Sequence, residues 1–200
     1  MINKLSYQIP AGISSYQQEI KRSKFITWIA PAATPEEAKQ QIQSIKNNYP
    51  DARHVCWAYI AGAPNTVLKS MSDDGEPNGT AGKPILNVLE HSNVGDIVAI
   101  VVRYFGGVKL GAGGLARAYS SSVSEAMKQT KYVIKIAKKE LSLSFPYAEE
   151  SQVRYLLEDE LGNVLETQYG ELVLLRCELP LEKLTSFKQR LGLNVEINDK

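Results

Sequence analysis

The residues best suited to bind a ligand are the glycines and cations of residues 103–115. Five glycines fall within nine residues, at Gly106, Gly107, Gly111, Gly113 and Gly114. Glycine loses more backbone entropy on folding than any other residue, so this density indicates a main-chain path that side chains would block. Arg103, Lys109 and Arg117 flank this path. Two interpretations follow: a loop whose backbone N–H groups hold an anion, or a tight water-facing connection between a strand and a helix.

A second candidate is the polar loop at residues 72–84, whose prolines, glycines and acids leave no room for a regular element. Long loops of this kind often carry function. Asp73, Asp74 and Glu76 supply oxygen ligands that suit a hard cation, but the twelve-residue calcium-loop pattern is absent. We expect these acids to cap the following helix, to accept nearby N–H groups, or to pair with Lys83 or Arg103. No metal site is predicted.

The sequence motifs of common catalytic and nucleotide-binding sites are absent or incomplete. The spacing from Gly106 to Gly111 suits a phosphate-binding P-loop, but Ala112 follows where that motif needs lysine. Lys83 is followed by Pro84 rather than by serine or threonine. The dinucleotide-binding fingerprint fits only loosely, and no Gly-x-Ser-x-Gly elbow is present. We therefore predict no catalytic residues, no cofactor and no enzymatic activity.

Composition bounds the protein class. The chain has 200 residues, of which 44% are apolar and 22% charged, as is ordinary for a globular protein. No apolar run reaches transmembrane length, and the first ten residues lack the form of a signal peptide. Cys56 and Cys177 form no CxxC pair, so neither a disulfide nor a zinc site is expected. These features predict a cytoplasmic protein without a membrane partner, and they do not specify an oligomeric state.

The net charge of +1 conceals a division of the chain. Residues 1–135 carry 15 Lys/Arg and 10 Asp/Glu, whereas residues 136–200 carry 8 and 12. A mildly basic front half and an acidic back half indicate different surfaces, although neither imbalance by itself demonstrates nucleic-acid binding. We expect two separable domains with a basic linker at residues 131–139.

Local patterns predict most elements of the first domain. Thr34, Pro35 and Glu37 form a helix start, with a hydroxyl cap, a first-turn proline and a glutamate three residues after the cap. Residues 97–102 are apolar on both faces and predict a central strand that is covered on both sides. Residues 55–60 predict a second buried strand with a hairpin partner at 66–71, and Pro84 is expected to open a short helix.

The back half reads as β-α-β-β-α-β, the split ferredoxin-like arrangement. Residues 164–169 and 172–179 predict a hairpin around Gly170. Alternation at Leu193, Val195 and Ile197 predicts the last strand. No catalytic constellation is visible in this half.

The two loops also carry a family resemblance. The segment SDDGEPNGTAGKP at residues 72–84 and the segment RYFGGVKLGAGGL at residues 103–115 resemble the IMPACT/YigZ family. ARH at residues 52–54 and RAY at residues 117–119 fit its pattern as well. The match spans most of residues 15–130, with no departure in either long motif.

The resemblance implies an α+β protein of two domains. Residues 1–135 would form a ribosomal-protein-type domain with a left-handed β-α-β unit, against the usual right-handed rule. Residues 136–200 would form a ferredoxin-like domain similar to the last domain of elongation factor G. The resemblance also implies a role around translation, because eukaryotic IMPACT proteins restrain a kinase that phosphorylates an initiation factor. No catalytic residues come with this family.

The sequence and the resemblance favour a non-catalytic regulator that binds RNA, the ribosome or a translation factor through its glycine-rich basic face. The candidate anion contacts are Arg103, Gly106, Gly107, Lys109, Gly111, Gly113, Gly114, Arg117 and Lys83. The adjoining motif loop contributes Asp73, Asp74, Gly75, Glu76 and Thr80. We expect the two loops to lie side by side, with Asp74 or Glu76 paired to Lys83, Arg103 or Lys109. A protein-interaction module in stress regulation is the alternative, and an enzyme acting on a small phosphorylated ligand is a less favoured one.

Overall fold

The computed structural model describes residues 6–198. The backbone contacts divide the described residues into two compact units, one of Tyr7–Lys135 and one of residues 136–198 together with Ser6. That the two halves fold independently stays a prediction. Among the helices of the described residues, none is long and apolar enough to cross a membrane.

The first unit is built on a five-stranded antiparallel sheet with the order β2-β3-β6-β4-β5. The strands of this unit, of which the first and the last extend one residue beyond it, are β1 (Ser6–Pro10), β2 (Ser14–Ile20), β3 (Ser23–Pro31), β4 (His54–Ile60), β5 (Lys69–Ser72), β6 (Ile97–Tyr104) and β7 (Tyr132–Ile136). Strands β1 and β7 pair with each other in a separate two-stranded sheet. Its helices are α1 (Pro35–Asn48), α2 (Gly82–His91) and α3 (Ala112–Gln129).

Strand β6 is the centre of this sheet, as its sequence predicts. Ile97, Ala99 and Val101 pack in one cluster with α2 and α3, whereas Val98 and Ile100 pack in another with α1. Both β3 and β4 run antiparallel to β6, so the unit β3-α1-β4 joins two parallel strands with β6 between them. The handedness of this crossover stays a prediction.

Helix α1 begins where the local signals predict. The Thr34 hydroxyl accepts the Glu37 N–H at 3.1 Å, and the Glu37 carboxylate accepts the Ala33 N–H at 2.8 Å. Two backbone donors at the helix start are thereby satisfied. The turn between β2 and β3 is formed by Lys21 and Arg22, which both adopt positive φ.

Two predicted elements of this unit are confirmed with shifted bounds, and one local expectation was wrong. Helix α2 begins at Gly82 rather than at Pro84, and the partner of β4 is displaced toward the 72–84 loop as Lys69–Ser72. The expected linker at residues 131–139 is largely strand, because β7 pairs with β1 and β8 already begins at Lys138. The lysine of β7, Lys135, has a structural partner: its ammonium pairs with the carboxylate of the buried Asp96 at 2.5 Å.

The second unit has the predicted β-α-β-β-α-β order and the ferredoxin-like sheet order β11-β8-β10-β9, antiparallel throughout. Its elements are β8 (Lys138–Phe145), α4 (Glu150–Asp159), β9 (Asn163–Tyr169), β10 (Val173–Pro180), α5 (Leu184–Arg190) and β11 (Glu196–Asn198). Phe145, Leu157 and Phe187 are among its fully buried side chains. The last strand is shorter than predicted: it begins at Glu196, and Leu193, which was expected to belong to it, lies before it and is fully exposed.

Candidate functional site

A buried ion pair joins the two motif loops. Arg103 lies near the end of β6, two residues after Val101, and therefore points to the sheet face covered by α2 and α3. Its Nη1 lies 2.6 Å from Oε1 of Glu76. The two side chains are only 6% and 3% exposed. The expectation that the loops lie side by side is confirmed, with Glu76 as the acid that reaches Arg103.

Tyr119 and Cys56 extend this polar cluster into the core. The Tyr119 hydroxyl donates to Glu76 Oε1 at 2.8 Å, and Cys56 Sγ lies 3.3 Å from the same hydroxyl. Cys56 also donates to the Asp73 carbonyl oxygen. Burial raises the pKa of Cys56 to about 12 and raises that of Tyr119 well above its ordinary value. Both groups are therefore neutral near pH 7, and Cys56 is no activated nucleophile.

Arg103 is held by further contacts around the guanidinium group. It lies 5.6 Å from the ring centroids of both Phe25 and Phe105. Its Nη2 donates to Ser23 Oγ at 3.4 Å, while Nε is buried without a partner among the described residues. Arg103 is buried and paired with Glu76, one of the pairings expected from the sequence, so its charge does not face solvent as a contact for an anion. We assign it to holding the loops together.

Asp73 organises the acidic loop through the backbone. Its carboxylate accepts the N–H groups of Gly79, Ala81 and Gly82 at 2.8–2.9 Å. Burial alone would raise the pKa of Asp73, but these three bonds lower it below its ordinary value. The last two donors belong to the start of α2, so Asp73 caps this helix from outside it.

Asp74 ties the same loop to β4 and α1. Its Oδ2 accepts the Val55 N–H, and its Oδ1 pairs with Lys46 Nζ, both at 2.8 Å. The Asp74 carbonyl accepts His54 Nδ1 at 3.0 Å, so this nitrogen carries the proton. Lys46 is a partner that the sequence interpretation missed, since no local pattern connects α1 with residue 74.

Gly75 and Thr80, the other two candidate residues of the 72–84 loop, shape its backbone. Gly75 has φ of +86°, and a Cβ there would lie 3.3 Å from the His54 ring. Thr80 is buried and donates its hydroxyl to the Pro77 carbonyl at 2.6 Å. Every acid of this loop is thus engaged inside the protein, as the non-metal interpretation predicts. Among residues 6–198, no group of three or more His, Cys, Asp or Glu residues is arranged to hold a metal ion.

The glycines of residues 103–115 fall into two groups. At Gly106 the backbone passes so close to β2–β3 that an added Cβ would lie 1.9 Å from the Arg22 carbonyl oxygen. Gly106 is therefore required by packing, and Gly114 also has a near neighbour in Leu110. Gly107, Gly111 and Gly113 are exposed, and the first two have positive φ.

The remaining cations lie at the surface. Lys109, Arg117 and Lys83 are all exposed. A Cβ added at Gly113 would meet Arg117 Nη1 at 3.8 Å, so this guanidinium lies beside the first turn of α3. Arg53 is exposed as well, although the sequence interpretation left it out of the candidate contacts. Its position in the ARH segment was the available signal.

A cavity of about 360 Å³ lies between the loops. The first loop contributes Glu76 and Pro77, and the second contributes the run from Lys109 to Ala112. Its remaining lining residues are Arg53, His54, Arg103, Phe105 and Leu115. The structure thus brings Lys109, Gly111 and Arg103 to one cavity, whereas Lys83, Gly113 and Arg117 do not line it.

Comparisons with known proteins agree with this architecture. The Impact N-terminal domain family matches residues 21–127, and a Domain of unknown function (DUF1949) matches residues 143–192. A crystal structure described as that of a hypothetical protein superposes with a TM-score of 0.79 at 39% identity. It covers 99% of this chain and 98% of its own.

One curated relative is bacterial and another is eukaryotic. The IMPACT family member YigZ of Escherichia coli is 42% identical over 94% of this chain and 92% of its own length. Protein IMPACT of Bos taurus is 34% identical over 46% of this chain and 29% of its own length. These names describe a family and state no reaction. On this combination of motif loops, two-domain fold and full-length similarity, the chain belongs to the IMPACT family.

Proposed function

We propose that this protein is a non-catalytic regulator around translation that binds RNA phosphates through the glycine-rich loop and the first turn of α3. One observation carries the proposal. The acids of the neighbouring loop are engaged internally, while Lys109, Arg117, Lys83 and Arg53 are exposed. Within residues 6–198, none of these four cations forms an ion pair. The surface charge of the motif region is therefore positive and available.

The start of α3 supports an anionic ligand. The first N–H groups of a helix have no intrahelical partner and carry the positive end of the helix dipole. Gly111 caps α3 without a side chain, and no described side chain bonds to the N–H groups of residues 112–114. The absence of a Cβ at Gly111 and Gly113 lets a phosphate oxygen approach them closely.

A regulatory rather than a catalytic role is supported by the chemistry of the cluster. Cys56 is buried and neutral near pH 7, so it lacks the thiolate that nucleophilic catalysis needs. Glu76 is committed to Arg103 and Tyr119. The link to translation rests on membership of the IMPACT family and is part of the proposal.

The test compares Lys109→Ala with Lys39→Ala. Both lysines are exposed, but Lys39 lies on α1, which packs on the other face of the sheet. Affinity for a single-stranded RNA is measured by fluorescence anisotropy across a salt series. A set of about three phosphate contacts gives a slope of about −2 in log K against log salt. Lys109→Ala should weaken binding and reduce the slope by about 0.7, while Lys39→Ala changes neither.

The contradicting result is equally specific. If Lys109→Ala keeps the wild-type melting temperature, affinity and salt slope, the glycine loop does not contact phosphate. The protein-partner alternative then takes precedence, and crosslinking followed by separate identification of RNA and protein would test it. If the wild type binds no RNA at low salt, the proposal fails outright.

A further inference from the structure

We infer that the cavity between the motif loops receives an unstacked base of single-stranded RNA, with Phe105 as its stacking platform. This inference rests on the proposed function and adds the form of RNA that the site takes. The ligand class is a nucleotide whose base is free of Watson–Crick pairing.

The size and walls of the cavity fit a base better than a phosphate alone. Its volume of about 360 Å³ lies at the lower end of the range of about 300–1,000 Å³ that is typical of small-molecule sites. Pro77, Leu110, Leu115 and Phe105 give it apolar surface. An inorganic anion gains nothing from such walls, whereas the flat face of a base does.

Phe105 is placed as a stacking surface. It is 55% exposed although it has no polar atom to satisfy in water. The guanidinium of Arg103 lies 5.6 Å from its ring centroid, and that guanidinium is fixed by the buried pair with Glu76. An exposed ring beside a rigid cation provides both stacking and cation–π attraction to a base.

The cations around the cavity suit the phosphates that flank such a base. Lys109 and Arg53 both line it and are otherwise exposed. Gly111 and Ala112, at the start of α3, line it as well. The apolar pocket and the proposed phosphate contacts are therefore parts of one continuous surface, as a nucleotide requires.

A second hollow adjoins the first. It has a volume of about 330 Å³ and shares Arg53, His54, Arg103 and Phe105 with the first. Its other two lining residues are Tyr104, which adds a ring, and Asp51, whose carboxylate accepts the Tyr104 hydroxyl at 2.8 Å. Two hollows that share Phe105 can accept neighbouring nucleotides of a strand whose bases are splayed apart. Stacked bases of a duplex cannot enter either hollow, so the surface should discriminate against double-stranded RNA.

The test compares Phe105→Ala, Phe105→Leu and Phe105→Trp. The matched control is Tyr155→Ala, which removes another aromatic ring, 60% exposed, from the second unit. Each protein is titrated with one single-stranded RNA, with the same RNA as a duplex, and with an abasic strand of equal length. Melting temperatures establish that each variant is folded.

Loss of one stacked base corresponds to about 5- to 150-fold weaker binding. Phe105→Ala and Phe105→Leu should weaken single-strand binding within this range without changing the salt slope, because no charge is lost. Phe105→Trp should restore the affinity, and Tyr155→Ala should leave it unchanged. Wild-type protein should bind the abasic strand and the duplex more weakly than the intact single strand.

Failure of this inference can be separated from failure of the proposed function. If wild type binds RNA with the expected salt slope but equally well as single strand, duplex and abasic strand, the base pocket is refuted and phosphate binding stands. Unchanged affinity in both Phe105→Ala and Phe105→Leu has the same meaning. If wild type binds none of the three ligands, both ideas fall, and a protein ligand for this face gains support.

Discussion

Arg103 and Glu76 form a buried ion pair of 2.6 Å across 27 positions of the chain. The pair joins the strand end that starts the glycine loop to the acidic loop. Tyr119 donates to the same Glu76 oxygen from α3. One carboxylate therefore fixes three segments around the cavity, and part of the charge in the two motifs is structural.

This relationship gives a first prediction. Arg103→Met leaves Glu76 buried without its partner, and removing one member of a buried pair costs about 3–5 kcal/mol. Arg53→Met removes an exposed cation nearby and should change the free energy of unfolding by less than about 0.5 kcal/mol. Both tryptophans, Trp28 and Trp57, lie in the first unit, so their fluorescence during urea unfolding reports on that unit. A loss below about 1 kcal/mol for Arg103→Met would show that the pair does not hold the loops.

A second prediction concerns Asp73 and pH. Asp73→Asn weakens the external cap of α2 and should cost about 0.5–2 kcal/mol at pH 7. The folded-state pKa of Asp73 lies below its unfolded value, so its contribution is complete above about pH 4 and is lost as the pH falls through the folded-state pKa. The variant and the wild type should therefore converge in stability in acid.

The matched control for that measurement is Glu19→Gln, at an exposed position of β2. It removes an exposed carboxylate and should change the free energy of unfolding at pH 7 by less than about 0.5 kcal/mol. A constant difference between Asp73→Asn and wild type over the whole range would contradict the assigned role of the carboxylate charge.

A third prediction separates glycines required by packing from glycines required by backbone conformation. Gly106→Ala places a Cβ against the Arg22 backbone and should cost at least about 3 kcal/mol. Gly107→Ala meets no atom but keeps a φ of +86°, which should cost about 1 kcal/mol. Gly12→Ala meets no atom and has no positive φ, so it should be neutral or slightly stabilising. Thermal unfolding of the three variants tests this order, and equal effects at Gly106 and Gly107 would refute it.

A fourth prediction concerns the boundary between the units. Residues 136–200 contain a complete four-stranded sheet, two helices and their own core, so this fragment should fold alone. A fragment of residues 1–135 should be more stable than one of residues 1–130, because the shorter one loses β7 and leaves Asp96 without Lys135. Circular dichroism during urea unfolding measures the stability of all three fragments. Equal stability of the two N-terminal fragments would show that β7 is a linker after all.

The features of this protein whose causes are local could be predicted from the sequence alone. The α1 start depends on Thr34 and Glu37, which are three residues apart. The burial of β6 on both faces follows from its unbroken apolar run, and the β9–β10 hairpin from Gly170 between two segments that were each predicted to be strands. The family motifs added the two-domain α+β architecture. The signals for the α1 start, for β6 and for the β9–β10 hairpin each lie within a short stretch of sequence, so no tertiary contact is needed to interpret them.

Which of several possible partners each charged residue takes depends on the fold and could not be predicted from the sequence. Sequence left Glu76 and Asp74 as equal candidates for Arg103, yet the sheet brings Glu76 to Arg103 and carries Asp74 to Lys46 on α1. The basic stretch that was expected to be a linker contains β7, since these residues pair with β1 and their Lys135 contacts Asp96. Arg103 changed in interpretation from a surface cation to a buried one, while Lys109 stayed exposed. The energy of an ion pair depends on the distance between its charges and on their burial, and both are set by chain segments that lie far apart in sequence.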